Sequence, residues 1–386
     1  VHVFLVLLMA FGYYKSVTID HGQVGASDLT DYPVTIWVTD ADLATVANGG
    51  KVQSSSGYDI RPYADSGASS ALTFELPDNP TGSTKPYVAT TGQLEMHVKI
   101  PTVSHTSDTV FYLFFGDASL TTDGSSTGTW NSGFNQVWHF GPLGTTPDVN
   151  FGDSTSHANT LTQSPTVSYQ TGQIDGGAGM LGSSGYAFAA GINDFTASAF
   201  TLSMWIHTAL TTNIGGIGPV FLYKGQGNIN GYFFRALTDG TVGLVTNQLG
   251  AKQESTSNAG TLAANTWTYL SAIRNGASVK VLKNGVDVTS TSASHTDPTS
   301  SSDNFQVGSY NDGFIQMDGI VDEVRVSNTD RTVDWELATY NNQKTSSTFL
   351  AWGALTPVGA ASTDTTWFQR RATLLPNYWP TWIKVP

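Results

Sequence analysis

Carboxylates are the groups in this sequence best suited to chemistry, and one kind is scarce. The only glutamates are Glu75, Glu95, Glu254, Glu323 and Glu336, and every other acid is aspartate. Retaining glycoside hydrolysis needs two carboxyl groups roughly 5 Å apart, one as nucleophile and one as acid. The nearest arrangement is Asp318, Asp322 and Glu323 in the segment 317–327. In a regular strand Asp322 and Glu323 point to opposite faces, and no second glutamate lies two or four residues from either. A glycoside hydrolase is therefore the least favoured reading, and the expectation is that the chain is not an enzyme. The metalloprotease pattern His-Glu-x-x-His is absent as well. Asp322 shares its parity with Ile320, Val324 and Val326, which places it in register with core residues. A carboxylate there needs compensation, for instance from backbone N–H groups of a neighbouring loop.

Composition narrows the function classes. With a formal net charge of −13, only 17 lysines and arginines and no basic run, the chain lacks the concentrated cations that nucleic-acid phosphates require. Charged residues are 12% of the total, about half the globular norm, so the surface is built from hydroxyls and amides. Aromatics at 11% and hydrophobics at 39% still supply real cores. Cysteine is absent, which excludes disulfides, thiolate zinc sites and cysteine nucleophiles. That suits a secreted bacterial protein or a virion protein folded in a reducing cytosol.

The elements that must position these residues read as strands. Val34, Ile36 and Val38 alternate along one face, as do Leu94, Met96, Val98 and Ile100. Residues 109–115 are apolar on both faces, as a covered central strand would be. Residues 40–47 are the one helix expected in the first half, opened by an acidic cap. In the second half, Asn275-Gly276 and Asn284-Gly285 separate β-branched runs and predict a three-stranded meander, and Asp239-Gly240 predicts another hairpin. At 386 residues two domains are expected. The fold class is all-β, with two β-sandwich domains.

The order of several segments makes the second half similar to a known family. Residues 137–140 leading to 152–155, the glycines 176–177 followed by 184–186, the strand 200–206, the meander with Asn284-Gly285, and above all 317–327 resemble laminin-G-like modules of the concanavalin A-like lectin/glucanase superfamily. The resemblance spans about residues 137–355 and implies a concanavalin-like jelly roll. The first half resembles the uncharacterised β-domain that precedes such modules in bacterial, archaeal and phage surface proteins. Its marks are residues 14–20, 29–34, 39–43, 98–101 and 115–118. Some laminin-G-like relatives hold Ca²⁺, which implies Asp153, Asn159 and Asp322 as ligands. A lectin-like module implies aromatic and amide groups for a glycan, and Trp205, Tyr310 and Asn311 are the candidates, although each also suits a packing role.

The resulting organisation is an apolar arm or signal remnant at 1–12, a β-sandwich at 13–136, the jelly roll at 137–355 and an aromatic, proline-rich tail at 356–386. Residues 1–10 are too short an apolar run to span a bilayer, and no transmembrane span is expected. Arm and tail carry large apolar side chains outside the recognised domains, so a homo-oligomer or larger assembly is expected through them. The expected function is carbohydrate or other surface-ligand binding (adhesion), at an extracellular, cell-surface or virion-surface location. The alternative is a structural coat, decoration or filament subunit.

Overall fold

The computed structural model describes residues 11–77, 87–131, 133–141, 149–181, 185–196, 199–210, 217–312 and 314–359. In the first domain, one sheet runs in the order Leu350–Trp352, Tyr13–Ile19, Thr109–Phe115, Arg61–Tyr63. The facing sheet holds Leu29–Thr39, Gln93–Val103, Phe74–Glu75 and Tyr87–Val88. Val17, Ile19, Phe111, Leu113 and Phe115 from the first sheet meet Val34, Ile36, Leu94, Met96, Val98 and Ile100 from the second. The alternation expected for these strands holds, with Val38 only partly buried. Thr109–Phe115 is central in its sheet, and Phe114 on its second face packs against Phe11, Tyr14 and Tyr63.

The second domain is a jelly roll of two eight-stranded sheets. Phe200, Leu202, Met204 and Ile206 on one inner face pack with Phe221, Tyr232, Phe234 and Leu244 of the other sheet. The meander pairs Thr268–Asn275, Ser278–Lys283 and Val286–Asp287 as expected. Asn284 and Gly285 sit at φ 54° and 76° in its second turn, the left-handed pair that a two-residue hairpin needs. The strand Phe134–Trp138 lies beside the closing strand Gly319–Ser327.

Three expectations are corrected. Residues 40–47 form two short 3-10 turns, Ala41–Leu43 and Val46–Asn48, and the Asp40 carboxylate caps only the first by accepting from Asp42 N. The C-terminal boundary also moves. Leu350–Trp352 and Thr356–Pro357 both pair with Tyr13–Ile19, so residues from 350 to at least 357 complete the first domain's sheet instead of closing the jelly roll or starting a tail. The rest of the tail, residues 360–386, and the arm at 1–10 lie outside the described residues.

The third correction is an α-helix, Val333–Lys344, which joins the two domains. Thr332 caps it through Trp335 N, Asp334 and Glu336 stand in its first turn and Lys344 in its last, each with the sign that suits the helix dipole. Trp335 and Ala338 enter the first domain's core, while Tyr340 packs on Trp205 of the jelly roll. Asn342 reproduces a strand pairing with its side chain, accepting from Thr35 N at 2.7 Å and donating to Thr35 O at 2.8 Å. Arg331, just before the helix, lies over the rings of Phe134 and Trp335 at 4.2 and 4.3 Å.

Candidate functional site

The site arises where the closing strand changes neighbour. Residues 319–321 of Gly319–Ser327 pair with Gly176–Met180, and residues 324–327 pair with Phe134–Trp138. On the other edge the register to Ala199–Thr208 slips, Trp205 facing Asp322 and Ser203 facing Arg325, so the closing strand carries one extra residue. Glu323 takes a left-handed φ of 50° there. Such a bulge re-aims side chains: Val321, Val324 and Val326 enter the jelly-roll core, and Asp322 and Glu323 both join a polar layer between the domains. The strict alternation expected for this strand, with the two acids on opposite faces and Asp322 in step with Val324 and Val326, is overturned.

Across from them stands Gln93–Val103. Its apolar residues fill the first domain's core, so the intervening Glu95 and His97 face the jelly roll, where both are buried. His97 stacks on His139, with ring centroids 4.3 Å apart and planes 17° from parallel. His139 Nδ1 is hydrogen-bonded to Glu323 Oε1. Glu323 Oε2 accepts from Arg325 at 2.6 Å and from Gln343 at 2.8 Å. His97 Nδ1 meets Thr35 Oγ1 at 3.2 Å. The two Nε2 atoms are buried without a hydrogen bond. One lies 3.4 Å from Glu95 Oε1 and the other 3.6 Å from Glu75 Oε2. Glu75 in turn accepts from Trp130 Nε1 at 2.6 Å, and Arg325 covers the Trp130 ring at 5.0 Å.

Burial and charge divide the protons within this layer. Burial, with the negative charge of Asp175 added, pushes the Glu95 carboxyl well above its ordinary value. Burial and Glu323 do the same to Asp322, and burial raises Asp175 to about 6. Burial opposes ionisation of Glu323 too, but His139 and Arg325 overcome it and hold that carboxyl low. Burial alone would lower His139, yet Glu323 and Glu75 hold it well above the usual imidazole value. His97, desolvated and beside a cationic His139, is pushed well below. The layer thus contains an ionised Glu323, a cationic His139, a neutral His97 and protonated acids in contact.

Glu75 also lines a cleft of about 300 Å³ that opens between the domains. Leu76, Ser125, Ser126 and Thr127 form one wall, and Asn150, Gly152, Asp153, Ser154, Ala158 and Thr160 form the other. A Gly-x-Ser-x-Gly pentapeptide, Gly124 to Gly128, belongs to this wall. It is no nucleophile elbow, which needs a strand-to-helix turn. Ser126 caps a single 3-10 turn and its Oγ accepts from Gly128 N.

The residues expected to bind ligand or metal are dispersed. Trp205 is buried beneath the interdomain helix, its Nε1 donating to Gln343 Oε1 at 2.8 Å, so no ligand reaches it. Trp205 points away from the core face of Phe200, Leu202, Met204 and Ile206, and the face it occupies is covered by the helix. Tyr310 packs edge-on against Tyr223 at 4.7 Å and receives Gly227 N on its hydroxyl, while Asn311 is exposed in the adjoining turn at φ 50°. Asp153 Oδ1 accepts from Val137 N and Thr155 N, and Oδ2 from Thr155 Oγ1 and Asn159 N. The Asn159 carbonyl accepts from Trp138 Nε1. Asp322 Oδ2 accepts from Gln173 N and Ile174 N, the backbone compensation anticipated for it. Asp153 and Asp322 share no partner, and each anchors backbone N–H groups of a neighbouring loop. The histidine–carboxylate layer went unforeseen, because nothing in the spacing of Glu95, His97, His139 and Glu323 announces that two domains bring them together.

Fold and site define a two-domain β-sandwich protein whose second domain is a lectin-type jelly roll. Residues 181–335 match the laminin-G-type family model described as the concanavalin A-like lectin/glucanases superfamily, and this part of the chain is a module of that superfamily. No curated protein matches the chain. Among solved structures it is similar to domain 4 of a GH43 extracellular arabinanase from Geobacillus stearothermophilus, in complex with arabinotriose. Identity there is 19%, coverage 54% of this chain and 98% of that one, and the TM-score 0.41. It is also similar to the ligand-binding domain of botulinum neurotoxin serotype D in complex with N-acetylneuraminic acid, at 11% identity, 57% and 53% coverage and a TM-score of 0.45. The chain thus spans about half the length of that neurotoxin domain.

Proposed function

We propose that the protein is a non-enzymatic extracellular or surface-displayed module that binds carbohydrate in the cleft between its two domains. The observation that carries this reading is the lining of that cleft: the hydroxyls of Ser125, Ser126, Thr127, Ser154 and Thr160, the Asn150 amide and the Glu75 carboxylate, around about 300 Å³. Small-molecule sites span roughly 300–1,000 Å³, so a cleft of this size suits a short stretch of glycan, whose hydroxyls need such mixed donors and acceptors. The acids lining it are poorly placed for catalysis. Both Asp153 oxygens are saturated by hydrogen bonds, and Glu75 is held by Trp130. A glycan array probed with wild type and with Ser126→Trp, which fills the cleft, tests the reading. Binding by the wild type that the variant loses is expected. An array blank for the wild type, or binding unchanged in Ser126→Trp, overturns it.

A structural coat or filament role is the second reading, and one feature favours it. The two ends of the described residues lie side by side, Val358 N donating to Gly12 O, and the segments that continue from them, 1–10 and 360–386, are rich in apolar and aromatic residues. Truncation after Gly359, which spares the closing strand pairs, should lower the mass in solution if those segments join copies of the chain. An unchanged mass removes this reading. No helix among the described residues is long and apolar enough to cross a membrane.

A further inference from the structure

We propose that Glu95, His97, His139 and Glu323 form a binding site for a divalent transition metal with zinc-like ligand preferences, at the seam between the two domains. One ligand atom from each of the four residues lies within 4.8 Å of the others, and all four residues are buried. Two imidazoles and two carboxylates are a ligand set that a borderline cation such as Zn²⁺ takes in a tetrahedral site. At metal–ligand distances near 2.0–2.1 Å, neighbouring ligand atoms of a tetrahedron stand roughly 3.3 Å apart. His97 Nε2 and Glu95 Oε1, at 3.4 Å, already have that spacing without a hydrogen bond between them.

Two further observations point to a cation. The first is an orphaned imidazole nitrogen: His97 Nε2, beside Glu95 Oε1, is a buried polar atom without a hydrogen-bond partner, on a residue 0% exposed. Natural structures keep few such atoms, and each asks for an explanation. The second is charge. Glu75, Glu95, Asp322 and Glu323 are all buried in this layer, and Arg325 is the permanent cation beside them. A dication at the seam would face that concentration of buried carboxylates. Loading has a route, because Glu75 borders both the open cleft and His139. The other grouping of this kind among the described residues, Asp20, His21 and Asp108, lies at the surface and serves as the control.

The test titrates Zn²⁺, and separately Ca²⁺, into the chelator-treated full chain by calorimetry in two buffers of different ionisation enthalpy. One equivalent of Zn²⁺ should bind with net proton release and raise the melting temperature, while Ca²⁺ should do neither. Glu95→Gln and His139→Gln should each weaken that equivalent at least tenfold, and His21→Ala should leave it intact. Where a variant fails to fold, the visible spectrum of the Co²⁺-loaded wild type decides, intense tetrahedral bands supporting the site and weak six-coordinate bands refuting it. Absence of a tight equivalent in the wild type, its loss in His21→Ala, or its persistence in Glu95→Gln overturns the proposal. A blank glycan array has no bearing on these outcomes.

Discussion

Replacing Glu323 by glutamine isolates what the polar seam contributes to stability. The change keeps shape and volume, so packing is preserved while the charge disappears. The two carboxylate oxygens accept from three donors, His139 Nδ1, Arg325 Nη2 and Gln343 Nε2. An amide offers one oxygen and one NH₂: turned one way the NH₂ faces the Arg325 and Gln343 donors, and turned the other it faces His139 Nδ1, which accepts only from a neutral ring. Arg325, only 3% exposed, loses its counter-ion and keeps only the Trp130 ring beneath it. His139 loses the charge that holds it protonated. Removing one partner of a buried ion pair costs about 3–5 kcal/mol. Urea denaturation of chelator-treated wild type and Glu323→Gln at pH 7 measures the difference. Glu254→Gln, which breaks the more exposed pair with Arg235, should cost only about 1 kcal/mol or less. If Glu323→Gln costs no more than that control, the network does not act as a unit, and the account of the seam is wrong.

The Asp175 carboxyl sets a pH dependence with a definite sign. Burial raises it from about 3.8 to about 6, so between those values the folded protein holds a proton that the unfolded chain has released. Its contribution is full below the lower value and fades as pH rises through the upper one. Asp175→Asn should therefore match the wild type near pH 4 and gain on it by on the order of 2 kcal/mol by pH 7, as read from urea midpoints across that range. A difference that stays flat with pH refutes the shift. At the meander tip, Gly285 has φ 76° and a Cβ there would stand 2.4 Å from Leu337 Cα in the interdomain helix. Gly285→Ala should cost about 1–3 kcal/mol through that clash in addition to backbone strain. Gly276→Ala, at φ 56° but with nothing within 4 Å, should show the strain alone. Equal melting temperatures for the two variants would mean that the hairpin tip does not bear on the helix.

What could be read from the sequence is whatever depends on short-range periodicity. The inward alternation of Val34 and Ile36, of Leu94 to Ile100 and of Phe200 to Ile206, and the Asn284-Gly285 turn, all stand in the structure because each follows from a local rule. The site escaped because it breaks those rules. One extra residue at Glu323 shifts the parity of the closing strand, so two acids assigned to opposite faces join one layer. The helix Val333–Lys344 shows no apolar stripe, since it is buried on two sides and meets the first domain with Thr339 and Asn342 and the jelly roll with Gln343. Trp205 illustrates the same limit from the other direction. Its outward parity was legible, but the covering element lies more than a hundred residues downstream, and a residue that looked free for a ligand is instead tied to Gln343. Polar residues on the outer faces of two sandwiches look solvent-exposed until the sandwiches are known to pack on each other. Here that packing turns Glu95, His97, His139 and Glu323 from surface residues into a buried, charge-coupled group. Burying them is costly, and a bound cation would supply the compensation that hydrogen bonds alone leave incomplete at His97 Nε2.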